Sequence, residues 1–242
     1  MISEKTKIAA LAVSFVMFGA VAATAQDAES PPQMLFTNVH VFDGVNEERI
    51  ENASVLVEGN LIKSISTDAI DAPGVEVVDG GGRTLMPGLM EMHAHLMLMG
   101  PTIPAMEADK TWEDFAIHGS GMAEMYLMQG FTTVRDAGGA NGGLRRAIDS
   151  GQIVGPRFYP SAAFIGTRGG HADFANFTAP PGAETNMSRL NMAQEASGVD
   201  DVYRYGRNNF RMGATQLKFM QSGGVVSELD PWQLHARTKE AN

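Results

Sequence analysis

His93 and His95 stand one residue apart at the end of the apolar run Leu85-Met86-Pro87-Gly88-Leu89-Met90-Glu91-Met92. In an extended chain residues i and i+2 point to the same face, so the two imidazoles project together while Ala94 turns away. Neutral imidazoles held side by side by rigid backbone are a ready pair of ligands for zinc or a similar divalent ion. A His-x-His pair is short enough to arise by coincidence on a surface strand. Its place at the end of an apolar strand, after a Pro-Gly turn, favours a site. A second residue that could do chemistry is Lys218, set within Leu217-Lys218-Phe219-Met220, an apolar context in which lysine is seldom found. Two readings fit it. One is an edge strand whose lysine reaches water along its aliphatic stem. The other is a desolvated lysine with a lowered pKa. A neutral amine can add carbon dioxide to give a carbamate, which carries a carboxylate able to bridge two metal ions, whereas an ammonium cannot ligate a metal.

Such residues need elements to hold them. Residues 34–84 read as short strands and turns, with strands over 34–42, 53–58 and 61–65 and the hairpin signal Gly59-Asn60 between the last two. A strand over 75–78 leads into Gly80-Gly81-Gly82, expected to break it. After Pro87 strands alternate with helices. The His-x-His strand is followed by a helix over 112–129 that Gly130 would cap and a strand over 131–136. Then come a glycine-rich loop, a short helix over 144–150 and a strand over 157–162. Residues 166–173 read as a loop, 180–201 as a polar region, 202–212 as a helix and 215–220 as a strand. Strands alternating with helices argue for parallel βα units, hence an α/β fold class.

The chain has 18 Lys and Arg against 28 Asp and Glu, a net charge of −10 at pH 7, which argues against nucleic acid and anionic membrane surfaces as partners. Without cysteine there is no thiolate metal site, disulfide or lipid-attachment residue. Residues 1–25 read as a signal peptide: Lys5 and Lys7, an apolar stretch over 8–23, then the small-x-small pattern Ala23-Thr24-Ala25. The alternative is an uncleaved anchor, for which this stretch falls short of the ~20 residues a span needs. Cleavage would make the protein periplasmic or secreted, with no membrane partner.

Other residues carry weaker signals. Arg135-Asp136 at a strand end reads as a substrate contact, a structural ion pair or a loop anchor. The glycines from 138 to 143 lack phosphate-loop spacing. His40, His118 and His235 have no partner in the sequence, and the methionines are expected to fill the core.

Four segments together carry a family resemblance: Asn38-Val39-His40-Val41-Phe42-Asp43-Gly44, Gly82-Arg83-Thr84-Leu85-Met86-Pro87-Gly88-Leu89-Met90-Glu91-Met92-His93-Ala94-His95-Leu96, Gly130-Phe131-Thr132-Thr133-Val134-Arg135-Asp136-Ala137-Gly138-Gly139 and Leu217-Lys218-Phe219-Met220-Gln221-Ser222-Gly223-Gly224-Val225. In this order they resemble the amidohydrolase superfamily, metal-dependent hydrolases built on a (β/α)8 barrel with a small β-sandwich. Gly169-Gly170-His171-Ala172-Asp173 resembles a Gly-Gly-His-Gly-Asp loop of the branch holding Xaa-Pro dipeptidase-like and imidazolonepropionase-related enzymes, with Ala172 in place of a glycine. The resemblance implies that His93 and His95 bind the more buried of two divalent metals, zinc foremost. It implies that a carbamate on Lys218 bridges the pair, and that His171 steadies the substrate carbonyl or its oxyanion. Without the resemblance His171 is an ordinary loop histidine. Glu91 stands where the family usually has aspartate. The implied reaction is hydrolysis of the C–N bond of a small amide, a dipeptide or N-acyl amino acid, by a hydroxide held between the metals.

A closed barrel needs ~250 residues, more than follow Pro87. The expectation is therefore a signal peptide over 1–25, the N-terminal part of a β-sandwich over 26–86 and an incomplete TIM-like barrel over 87–242. The family's later histidines and its catalytic aspartate map to no position here. Two alternatives stay open: a truncated, inactive chain that at most binds metal or peptide, and a mononuclear deaminase-like enzyme, against which Lys218 weighs. Homo-oligomerisation is also left open.

Overall fold

The computed structural model describes residues 31–100, 102–224 and Asp230. The signal-peptide segment and His235 lie outside the described residues. The chain divides into two compact units, Met1–Met86 and Pro87–Asn242.

The first unit is a four-stranded sheet. β1 (Gln33–Val41) pairs antiparallel with β2 (Ile50–Glu58), which turns at Gly59-Asn60 into β3 (Leu61–Ser66), and β4 (Glu76–Leu85) lies parallel to β1 on its other side. Gly59 takes a φ of 60°, a conformation the two-residue turn requires and a side chain disfavours. Val39, Val41, Ala53 and Val55 form its buried core, with Phe36, Val57 and Leu85 packed against them. The glycine run does not break β4. The ladder shifts register between Thr37 and Val39, and Gly81 and Gly82 take φ of 59° and 75°. A Cβ at Gly80 would overlap the Val39 side chain and the Asn38 carbonyl. The glycines thus form a bulge that lets pairing continue.

The second unit begins at the Pro87-Gly88 turn. The apolar run is therefore divided, with Leu85 ending β4 and Leu89 starting β5 (Leu89–Ala94). α1 (Ile103–Glu107) and α2 (Trp112–Met128) follow. α2 opens on a capping box in which the Thr111 hydroxyl accepts from Asp114 N–H and the Asp114 carboxylate accepts from Thr111 N–H. Gly130, at φ 93°, turns the chain into β6 (Phe131–Asp136). α3 (Gly142–Asp149) is capped by Asn141 and leads to β7 (Arg157–Tyr159). Strands β5, β6 and β7 make a parallel sheet in that order.

Beyond β7 the elements are shorter than the sequence pattern suggests. The strand expected over 157–162 stops at Tyr159, because Pro160 has no N–H to donate and Ala162 takes a φ of 58°. β8 (Phe164–Gly166) then pairs in parallel with β9 (Ala193–Glu195). β9 and α4 (Asn186–Arg189) lie inside the stretch expected to be merely polar. α5 (Val199–Arg211) precedes the Lys218 segment. That segment is a single parallel bridge, Phe219 to Ile165, rather than a strand over 215–220. Ile165 N–H donates to the Lys218 carbonyl at 2.9 Å, and Met220 N–H to the Ile165 carbonyl at 2.8 Å.

The core of this unit gathers Leu96, Phe115, Val134, Phe158, Phe164, Met187 and Met192. Each such large side chain stabilises by about 1.5–3 kcal/mol on full burial. The methionines divide: Met187 and Met192 are buried, whereas Met90, Met92 and Met128 are exposed, so core filling accounts for only some of them. Among the described residues no helix is long and apolar enough to cross a membrane.

Candidate metal centre

β5 pairs with β6 at Glu91, opposite Val134, and again at Ala94, opposite Asp136, with a register shift between them that falls at Met92-His93. Ala94 is buried on one side while the His93 and His95 rings share the other, their centroids 5.3 Å apart. Glu91 sits two residues before His93, and its carboxylate accepts the His93 N–H at 2.7 Å. His95 Nδ1 lies 3.2 Å from the Gly138 carbonyl oxygen. A carbonyl only accepts, so this nitrogen carries the proton and Nε2 keeps its lone pair for a metal. Lys218 arrives from a segment 125 residues later and places Nζ 3.3 Å from His93 Nε2.

The electrostatics follow from three basic groups meeting at one spot. Partial burial, then the nearby positive charges of Lys218 and Arg135, lower the His93 pKa. Burial lowers that of His95 despite the bond to Gly138, and His93, Lys218 and His171 add to it. Burial and then Arg135 lower the Lys218 pKa. All three are pushed toward the neutral form, in which an imidazole can bind a metal and an amine can add carbon dioxide. Among the described residues no three of His, Cys, Asp and Glu are grouped to hold a metal ion. Two imidazoles and an amine fit a divalent ion once Lys218 supplies a carboxylate.

Asp136, at the end of β6, belongs to this arrangement. It is fully buried and accepts from Leu96 N–H at 3.0 Å, Gly138 N–H at 2.9 Å and Ala140 N–H at 3.3 Å. One carboxylate thus ties the residue after His95 to the loop whose carbonyl orients His95. Loss of solvent pushes its pKa up to about 7, against the opposing pull of those three N–H groups. Of the three readings open for it, loop anchor is the one its bonds match. Arg135 donates from Nε to the Met92 carbonyl at 2.7 Å.

His171 lies in the loop after β8, and its Nδ1 is 3.2 Å from an oxygen of Asp230. The same oxygen accepts Gly224 N–H at 2.8 Å. No sequence signal marked Asp230, which is isolated in a polar stretch 59 residues after His171. Elsewhere, His40 pairs with Glu51 across β1 and β2.

Comparison with known proteins agrees with this geometry. A family model described as the amidohydrolase family matches residues 84–241. The chain belongs to the amidohydrolase family. The resemblance carried by the His-x-His and Lys218 segments is thereby borne out. Ochratoxinase of Aspergillus niger is 28% identical over 207 residues, covering 76% of this chain and 41% of that protein. Among solved structures, a prolidase complexed with N-methylphosphonate-L-proline is 30% identical with a TM-score of 0.77, over 86% of this chain and 51% of that one. A Xaa-Pro dipeptidase with methionine in its active site is 29% identical with a TM-score of 0.74, over 86% and 52%. The chain spans about half the length of the family members it matches. Divalent metals are typical of the family.

Proposed function

We propose that the protein is a metal-dependent hydrolase of the amide C–N bond in small substrates, dipeptides or N-acyl amino acids, acting in the periplasm or outside the cell. The observation that carries this reading is the approach of Lys218 to within 3.3 Å of His93, beside His95. Chain positions 125 residues apart bring a lowered-pKa amine to a pair of neutral imidazoles. The relatives named prolidase, Xaa-Pro dipeptidase and ochratoxinase support the amide-bond class.

In this reading His93 and His95 hold one of two divalent ions, zinc foremost, and Lys218 as its carbamate joins the pair. Bound there, the ions supply Lewis acidity toward the carbonyl and lower the pKa of water. His95 stays oriented because Gly138 holds its Nδ1–H. His171 receives the carbonyl oxygen as charge develops on it. The sheet β5-β6-β7 with the Ile165–Phe219 bridge is taken as the opening of a (β/α)8 barrel, and residues 26–86 as the N-terminal part of a β-sandwich.

The test is metal content after zinc loading and dialysis, combined with 13C NMR in labelled bicarbonate and a panel of dipeptides and N-acyl amino acids. Two zinc ions per chain, a Lys218 carbamate signal and hydrolysis of at least one panel member are expected. A chain that keeps no zinc and hydrolyses nothing would overturn the proposal.

A further inference from the structure

We infer that Asp230 is a positioning residue for His171, fixing which imidazole nitrogen faces the substrate. The inference rests on the reading above, in which His171 meets the substrate carbonyl. The Asp230 side chain is only 2% exposed. One oxygen receives two donors, His171 Nδ1 at 3.2 Å and Gly224 N–H at 2.8 Å. The other is buried without a hydrogen-bond partner among the described residues. A carboxylate accepts only, so Nδ1 carries a proton and Nε2 is left to the opposite side of the ring.

Gly224 completes the clamp. A Cβ there would overlap Cε1, Nδ1 and Nε2 of His171, so the backbone at 224 lies against the imidazole. The ring is therefore held by a charge-assisted bond at its edge and by glycine backbone beside it. A loop histidine without these two contacts would exchange tautomers and rotate freely. The arrangement is that of a carboxylate setting the tautomer of an imidazole whose far nitrogen does the work.

The deciding measurement is the tautomer of His171, read from long-range 1H–15N spectra of the full chain, with the resonance assigned by His171→Gln. Wild type is expected to carry a proton on Nδ1. In Asp230→Ala the Nε2–H tautomer should become the major one. In Asp230→Asn, whose amide oxygen still accepts, Nδ1–H should be retained. A bare Nδ1 in the wild-type spectrum overturns the inference by itself, even if Asp230→Ala fails to fold. An unchanged Nδ1–H in folded Asp230→Ala overturns it as well, because a merely structural aspartate would leave the tautomer alone. Wild-type Nδ1–H that depends on Asp230, in a chain that hydrolyses nothing, upholds the positioning assignment and overturns only the substrate-facing role of His171.

Discussion

At the scale of single residues, the two histidines and Lys218 are asked for different things, and substitutions separate them. His93→Ala or His95→Ala removes a proposed ligand, and either should abolish zinc retention after dialysis, whereas His118→Ala on α2 should not. Lys218→Met keeps an apolar stem but has no amine to carry a carbamate. It should reduce bound zinc from two ions per chain to at most one, read by elemental analysis. The pH dependence has a definite sign. His93 and His95 have pKa values below the usual 6.5, so they remain neutral further into acid than free histidine. Zinc release on acidification should therefore have its midpoint below pH 6.5, because protons compete only once the imidazoles charge. A midpoint above 6.5 would show that a group other than the two imidazoles controls release.

At the scale of elements, the site depends on the join between the end of β5 and the loop after β6, which Asp136 makes through its bonds to Leu96, Gly138 and Ala140. Asp136→Asn keeps an acceptor for Gly138 and Ala140 but turns an NH2 group toward the Leu96 N–H. The lost bond and opposed donors should cost about 1–3 kcal/mol, a fall in Tm of roughly 2–4 °C per kcal/mol in a chain of this size. The wild-type carboxyl, at about 7 in the fold against 3.8 unfolded, holds a proton the unfolded chain gives up in that window. Its stabilising contribution is complete below about 4 and is lost as pH rises through 7, by on the order of 4 kcal/mol. Asp136→Asn should remove that slope from the stability profile; an unchanged slope would mean that another group carries it. Gly138→Ala should be worse than an ordinary loop substitution. Its φ is 141°, its Cβ would overlap the Phe164 ring, and its carbonyl orients His95.

For the whole molecule, the proposed metal binding would couple to folding through mass action. An ion that binds the folded chain and not the unfolded one adds about 2.7 kcal/mol at a hundredfold excess over Kd. Zinc should raise the Tm of wild type and a chelator should lower it again. His93→Ala should show neither response, which a non-specific effect of zinc would not reproduce.

The same scale marks how far the sequence alone reaches. Periodicity and turn residues located β1, β2, β3, α2 and β6 within a few residues, because each is set by local pattern and by caps such as Thr111-Asp114 and Gly130. His-x-His was legible because a strand's period of two is a local rule, and Lys218 because a lone charge in an apolar run is conspicuous. The β4 bulge, the strand β9 and the reduction of the Lys218 segment to one bridge were not legible. Each depends on what a distant strand offers as a hydrogen-bond partner. Asp230 was hidden, and the choice among the three readings of Asp136 stayed open, for a related reason: a carboxylate's role is decided by which N–H groups and which imidazole surround it. Residue type and spacing determined which side chains could bind a metal. Only the tertiary structure decided that His93 and Lys218 meet, since long-range packing alone brings residues 125 apart into contact.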